Sequence, residues 1–547
     1  MIDEEVRTLT KQLVRIQSIN NTSGEKDIAD FIEGWFRKLP YLQKHPENLI
    51  IAPIPGDPLG RKSVLALLAG ERDDNNRTVL LHGHIDTVGL EGYNELAPYA
   101  CDPDALAVHL ADADLPDEVR KDLESGDFLF GRGSCDMKSG DAVFMVLFER
   151  FAEHPEEFSG NLVVMFNPVE ENMHTGIITA LPSLADLKKS RGLDFVCALN
   201  NDFTAPLYPG DPMKTIYTGI GGKVLPCFYI QGKETHVGQC FEGVDAAMLA
   251  AALTLRIQLS MDFADSYEGE TCYPPSVLKM KDLKTWYNVQ TIKEAFVYFN
   301  VFVHNAPMDQ ITKRLLACAE DAFREVIDRI NKEEERFCGL SGEEFHAVTY
   351  EPLVLTYEEL KKKAEEKAGK EKVETELSAL VKEKQAMGTD AREVGIALVR
   401  RLLQISGINR PAIVLYFAPP YCPHSTLKED EKDLLAILKE AAEEETKTSG
   451  TAYRFLHFYP SLSDSSYLKI DDDDASIHAL TDNFPAFETL YPLPVDRIRE
   501  LSIPAVNIGC FGADCHKWTE RVNMPYTFGV LPHLEKTMIT KLLERRS

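Results

Sequence analysis

His84 and Asp86, one residue apart, have the types and spacing to serve a metal ion, the imidazole as ligand and the carboxylate orienting it from behind. The run 78–81 before them is β-branched and apolar and reads as a buried strand that ends at this pair. Ends of parallel strands are where α/β folds place ligands. Further acidic and histidine positions follow in order. Asp136 lies in the Gly-rich run 131–140, just ahead of an apolar helix; Glu170 and Glu171 follow the strand-like run 162–166; Asp202 follows 195–199; His516 follows 503–510. Adjacent carboxylates such as Glu170 and Glu171 repel unless cations or protons compensate them. A dinuclear metal site would use one as a ligand and leave the other to handle protons. A lone histidine at a strand end is more often structural, and it is the agreement of the other elements that moves His84 to the metal reading. His82 has no such company and reads as structural.

These segments resemble the M20 family of metallopeptidases and amidohydrolases. The His-x-Asp pattern of that family matches His84 and Asp86, its Asp-Met-Lys pattern Asp136 to Lys138, and its Glu-Glu pair Glu170 and Glu171. Its later acidic ligand matches Asp202, and its C-terminal histidine falls on His516, with the accompanying glutamate at Glu520. Ser461-Leu462-Ser463-Asp464-Ser465 is a looser copy of its Gly-Gly-Thr-Asp segment. Within the family, the length and the run Tyr421-Cys422-Pro423-His424-Ser425 are most similar to the arginine-utilisation branch.

The resemblance implies two divalent metal ions, with zinc suited to mixed nitrogen and oxygen ligands and cobalt or manganese able to replace it. Asp136 would be shared between them, His84 and Asp202 would complete one shell, and Glu171 and His516 the other. Glu170 would be the general base and Asp86 a catalytic partner that orients His84. His236 would reach from a lid domain into the partner subunit's site and help hold the oxyanion, which makes a homodimer the expected assembly. The expected reaction is hydrolysis of an amide or peptide bond in a small amino-acid derivative, linked to arginine or ornithine. Two rivals are a non-catalytic metal-binding protein of the same fold and a metallo-aminopeptidase for longer peptides. One departure stands out: the stretch Phe302-Val303-His304-Asn305-Ala306-Pro307 lacks the arginine with which many family lids grip a substrate carboxylate.

Composition sets the frame. A chain of 547 residues with 44% hydrophobic content supports two or more globular domains. No apolar run reaches the roughly 18 residues of a membrane span. Met1 to Glu5 is acidic, without the order of a signal peptide, and eleven cysteines without regular spacing do not read as a disulfide scaffold, so a cytoplasmic location is expected. A net charge of −28 argues against nucleic acid or an anionic membrane as partner. Cys135 and Cys515, beside expected ligands, read as small packing residues, and Asp471 to Asp474 as a solvated acidic loop.

The elements that must position the site alternate. Thr22-Ser23-Gly24-Glu25 has the form of a capping box before an apolar stripe at helical spacing, and 143–148, apolar all round, predicts a buried helix. Strands at 64–68, 79–85, 162–166, 195–199 and 505–510 between helices indicate an α/β fold. The expectation is a zinc-peptidase-like catalytic domain, a mixed sheet flanked by helices, formed by 1–221 and 426–547. An α+β lid or dimerisation domain, 222–425, is inserted after the hinge 217–222 and enlarged by a helical insertion at about 331–411. The Lys- and Glu-rich part of that insertion, with Val373, Leu377, Leu380 and Val381 as a narrow apolar stripe, reads as a solvated helix capping the lid, with a partner-binding arm as the other reading.

Overall fold

The computed structural model describes residues 2–544. The chain forms two compact units, one from the described residues of Met1–Gly221, Ser425–Asp471 and Pro494–Ser547, the other from Gly222–His424 and Asp472–Leu493.

Among its described residues the first unit carries a mixed sheet of eight strands. Their order is Leu49–Pro53, Lys62–Ala69, Asn161–Asn167, Arg77–His84, Asp194–Asn200, Ala505–Asn507, Lys214–Tyr217, Tyr453–Leu456. The four central strands are parallel, with His84 opposite Asn167, His82 opposite Asn200, and Asn200 opposite Asn507. Their C-terminal ends therefore lie along one edge. The loops that leave this edge carry Asp86, Glu170, Glu171 and Asp202. These strands are buried on both faces and accordingly read as apolar runs rather than alternating ones.

The helix Ser139–Glu153 is buried all round from Ser139 to Phe148, as its composition predicts. Each fully buried large apolar side chain of this kind contributes about 1.5–3 kcal/mol. Its first turn lies flush against the end of the strand Arg77–His84. A Cβ at Gly83 would stand 2.4 Å from Asp141 Oδ1 and 2.6 Å from Met137 Cε, so a larger residue between His82 and His84 would displace those two side chains.

The capping box does not form. Thr22 accepts the Gly24 N–H at 3.2 Å rather than that of Glu25, and Ser23 makes no cap bond. Glu25 instead accepts the Asn21 N–H at 2.7 Å and Arg61 Nη1 at 3.0 Å.

A second buried acid sits deeper. Glu535, on the helix Leu531–Glu544, is fully buried beside Asn201, and burial, outweighing the Asn201 side chain, holds its pKa well above 4.5. The unfolded chain releases this proton near 4.5 and the folded chain retains it to higher pH, so the stability it allows is complete below 4.5 and falls as pH rises towards the folded value. The slope is about 1.4 kcal/mol per pH unit in that window. Glu535→Gln is expected to remove it, so that urea unfolding from pH 5 to 8 shows the variant gaining on wild type as pH rises. Parallel stability curves would mean that Glu535 folds as an ordinary carboxylate.

The second unit holds a five-stranded sheet in the order Ser276–Asp282, Glu294–Val303, Gly222–Gln231, Ala412–Cys422, Val354–Thr356. Successive residues of Gly222–Gln231 alternate between its faces. Leu225, Cys227 and Tyr229 join a core with the helices Tyr357–Ala368, Lys370–Ala386 and Ala391–Ser406. The helices Ala246–Ile257 and Met308–Ser341 pack on each other, and the former also on the strand Glu294–Val303. In the charged insertion Val373, Leu377 and Val381 are buried in the sheet-side core and Leu380 packs against it. The apolar stripe thus covers one face of the five-stranded sheet.

The stretch 426–547 is interrupted: Asp472–Leu493 clusters with the second unit. There the Ser476 hydroxyl accepts the Met308 N–H at 3.2 Å and the Tyr491 hydroxyl donates to the Tyr421 carbonyl at 3.0 Å. The acidic run is not simply solvated. Asp472 accepts from the Tyr421 hydroxyl at 2.8 Å and lies 3.3 Å from His424 Nδ1, and Asp473 caps the helix Asp474–Thr481.

Candidate metal centre and active site

All the expected ligands lie in the first unit, and they converge. His84 Nε2 is 2.9 Å from Asp136 Oδ1, and His516 Nε2 is 3.1 Å from Asp136 Oδ2 and 2.9 Å from Glu171 Oε1. Asp136 therefore presents one oxygen to each imidazole. Two sets, His84–Asp136–Asp202 and Asp136–Glu171–His516, each bring their ligand atoms within 4.8 Å of one another; so does His84–Glu170–Glu171. His84, Asp136, Glu170 and Asp202 are buried, whereas the His516 side chain is 49% exposed, so the cluster opens to solvent on that side.

Asp86 is fully buried behind the cluster. Its two oxygens accept the backbone N–H groups of Glu170 at 3.0 Å and Glu171 at 3.1 Å, together with Asn20 Nδ2 at 2.9 Å. The Asp86 carbonyl lies 3.1 Å from His84 Nδ1, which leaves Nε2 facing Asp136. Asp86 thus fixes the loop carrying both glutamates as well as the imidazole.

The cluster has more acid than its histidines can balance. Burial pushes Asp202 up to about 8, and Asp136 adds to the rise. Burial also raises Glu170 and Glu171 above the usual carboxylate range. Burial works against the charged form of His516, yet Asp136 and Glu171 lift it to about 11. The same contest, with Glu170 and Asp136 prevailing, raises His84. Divalent cations would supply the positive charge that this excess of acid calls for. Two imidazoles and several carboxylates within ligand reach form a donor set that fits divalent ions.

Residues that the motifs do not single out complete the surroundings. His174, fully buried, lies with Nδ1 3.0 Å from Asp464 Oδ1 and 4.0 Å from Glu170 Oε1. The loose Ser-Asp-Ser segment thereby reaches the glutamate pair through a histidine. Arg132 pairs with Glu520, and both are buried; an arginine between two glycines that sit beside an expected ligand was the only sequence signal for it. His82 is buried against the Ser465 hydroxyl at 2.9 Å, and burial pushes its pKa down to about 3, the state of a neutral structural histidine.

In the second unit His236 is exposed, and its Nδ1 accepts the Gly238 N–H at 3.1 Å. In the stretch 302–307, which has no arginine, His304 is buried with Nδ1 3.3 Å from the Glu270 carbonyl, and Asp265 accepts the N–H groups of His304, Asn305 and Ala306.

A mixed-sheet α/β unit with this ligand cluster at its strand ends is that of a metal-dependent peptidase or amidohydrolase. The chain belongs to peptidase family M20/M25/M40, whose sequence model matches residues 80–399. It is 36% identical to protein RocB of Bacillus subtilis (strain 168) over 544 residues, 99% of this chain and 95% of RocB. It is 34% identical to protein YqjN of the same organism, over 99% of this chain and 97% of YqjN. A tripeptidase from Staphylococcus aureus has a similar fold, with a TM-score of 0.53 at 13% identity and 99% of each chain covered. His516 lies beyond the span matched by the family model, within the full-length similarity to RocB. Among the described residues no helix is long and apolar enough to cross a membrane.

Proposed function

We propose that this protein hydrolyses an amide or peptide bond in a small amino-acid derivative, using two divalent cations and Glu170 as general base. The observation that carries this reading is the placing of Asp136, with one carboxylate oxygen toward His84 and the other toward His516, while His84 also groups with Glu170 and Glu171. His84 and Asp202 would hold one cation, Glu171 and His516 the other, and Asp136 both; zinc suits the set, with cobalt or manganese as substitutes. When bound, the cations would polarise the scissile carbonyl and acidify the attacking water. Glu170 takes the proton of that water as it attacks the carbonyl carbon, then hands it to the leaving amine as the tetrahedral intermediate collapses. Asp86 keeps Glu170 and Glu171 in place through their backbone N–H groups.

His236 is the proposed oxyanion donor, acting in a partner subunit, and the second unit is the proposed dimerisation domain. Its strand Ser276–Asp282 is an outer strand of the sheet with Leu278 and Met280 exposed, and Leu255, Leu259 and Met261 are exposed on and after the helix Ala246–Ile257. An exposed edge with apolar side chains favours pairing with a second chain. The similarity to the arginine-utilisation branch of the family supports N-acylated arginine or ornithine, or a short arginine-containing peptide, as substrate.

The test is chromatographic detection of products from a panel of N-acyl amino acids and di- to hexapeptides, with the protein loaded in turn with zinc, cobalt and manganese. Release of a free amino acid from short amides, falling as peptide length grows, is the expected outcome. Metal-loaded protein inactive across the panel would overturn it.

A further inference from the structure

We propose that Arg132 is a positioning residue that fixes the spacing between Asp136 and His516, and with it the fit of the cation those two residues share. The inference rests on the ligand reading given above. Arg132 is 2% exposed and Glu520 1%. The guanidinium uses its edges in three directions. Nη1 pairs with Glu520, Nη2 donates to the His516 carbonyl at 3.1 Å, and Nε donates to the Gly89 carbonyl at 3.2 Å. Glu520 Oε1 in turn accepts the N–H of Cys135 at 3.2 Å and of Asp136 at 3.3 Å.

These bonds close a ring. From the Asp136 N–H the path runs through Glu520 and Arg132 to the His516 carbonyl, and returns from His516 Nε2 to Asp136 Oδ2. Two proposed ligands that are 380 residues apart in sequence (516 less 136) are thereby held together by protein alone. The Gly89 bond adds the loop that leaves the His84 strand. Below the guanidinium lies the Tyr93 ring, 5.2 Å from Cζ, and Gly133 lets the loop pass, since a Cβ there would meet Thr87 Cγ2 at 2.6 Å.

A buried ion pair is a poor source of stability, because desolvation offsets the attraction and apolar replacements are often no less stable. What this pair supplies is direction. A lysine at 132 would keep the charge but could not direct the same planar fork at three acceptors.

The experiment is calorimetric titration of the metal-free full-length protein with zinc, repeated with cobalt(II) followed by its visible absorption, for wild type, Arg132→Lys and the double variant Arg132→Met/Glu520→Gln. Wild type is expected to bind two cations. In both variants one of the two cations is expected to lose about 10- to 100-fold in affinity, the usual cost of losing an outer partner, with an altered cobalt spectrum. The double variant leaves no buried charge of the pair unpaired, so it is expected to unfold at or near the wild-type temperature and separates positioning from folding. Folded variants that bind both cations with wild-type affinity overturn the clamp alone. A wild type that takes up only one cation overturns the ligand reading, and the clamp with it.

Discussion

Glu170→Gln is expected to lower kcat about a thousandfold while the purified protein keeps its metal. A positioned general base contributes roughly 10²- to 10⁴-fold, and glutamine keeps the size of the side chain while losing the ability to take a proton. The loop should not move, because Asp86 holds it through the backbone N–H of residues 170 and 171, which the substitution leaves intact. His174 Nδ1 lies 4.0 Å from the Glu170 carboxylate, too far for a hydrogen bond whose loss would disturb the fold. Steady-state kinetics with metal analysis on the same sample checks this. Near-normal turnover would place the base elsewhere. Loss of a cation together with activity would make Glu170 a ligand, an arrangement that the His84–Glu170–Glu171 grouping also permits.

How far the sequence discloses this site depends on the span over which each residue acts. His84 and Asp86 are legible because a two-residue spacing at a strand end carries its own geometry, and Asp136, Glu170, Glu171 and Asp202 because each follows a recognisable apolar run or glycine loop. The partners are a different matter. Arg132 meets Glu520 across 388 residues, and His174 meets Asp464 across 290, with no local pattern to join them. Glu25 shows the same limit from the other side: the capping-box pattern puts it near the right backbone N–H but gives no sign of its second partner, an arginine 36 residues away. In the second unit the stripe Val373, Leu377, Val381 could be read as a buried face, but which surface it covers depends on a sheet assembled from distant strands. The crossing of Asp472–Leu493 into that unit is equally silent, since it rests on tertiary contacts of Ser476 and Tyr491.

Asp136 is where the largest loss of metal is expected. Its carboxylate faces His84 with one oxygen and His516 with the other, so it is the one residue common to the two proposed shells. The substitution Asp136→Asn would keep one oxygen and replace the other with an amide nitrogen that cannot bind a cation, and it would remove a negative charge from between the sites. Both cations should weaken, by more than the roughly 10- to 100-fold that loss of an outer partner costs. His516→Ala supplies the contrast. It leaves His84, Asp136 and Asp202 in place and removes a ligand from the other set alone, so one cation should remain where Asp136→Asn retains neither. Elemental analysis after dialysis, followed by zinc titration of both variants, separates these outcomes. Two cations bound at wild-type affinity in Asp136→Asn would show that no carboxylate is shared, and the two shells would then have to be drawn without Asp136, one of them from His84, Glu170 and Glu171. Loss of both cations in His516→Ala as well would mean that the two sites fill only together, a coupling that the shared carboxylate would itself explain.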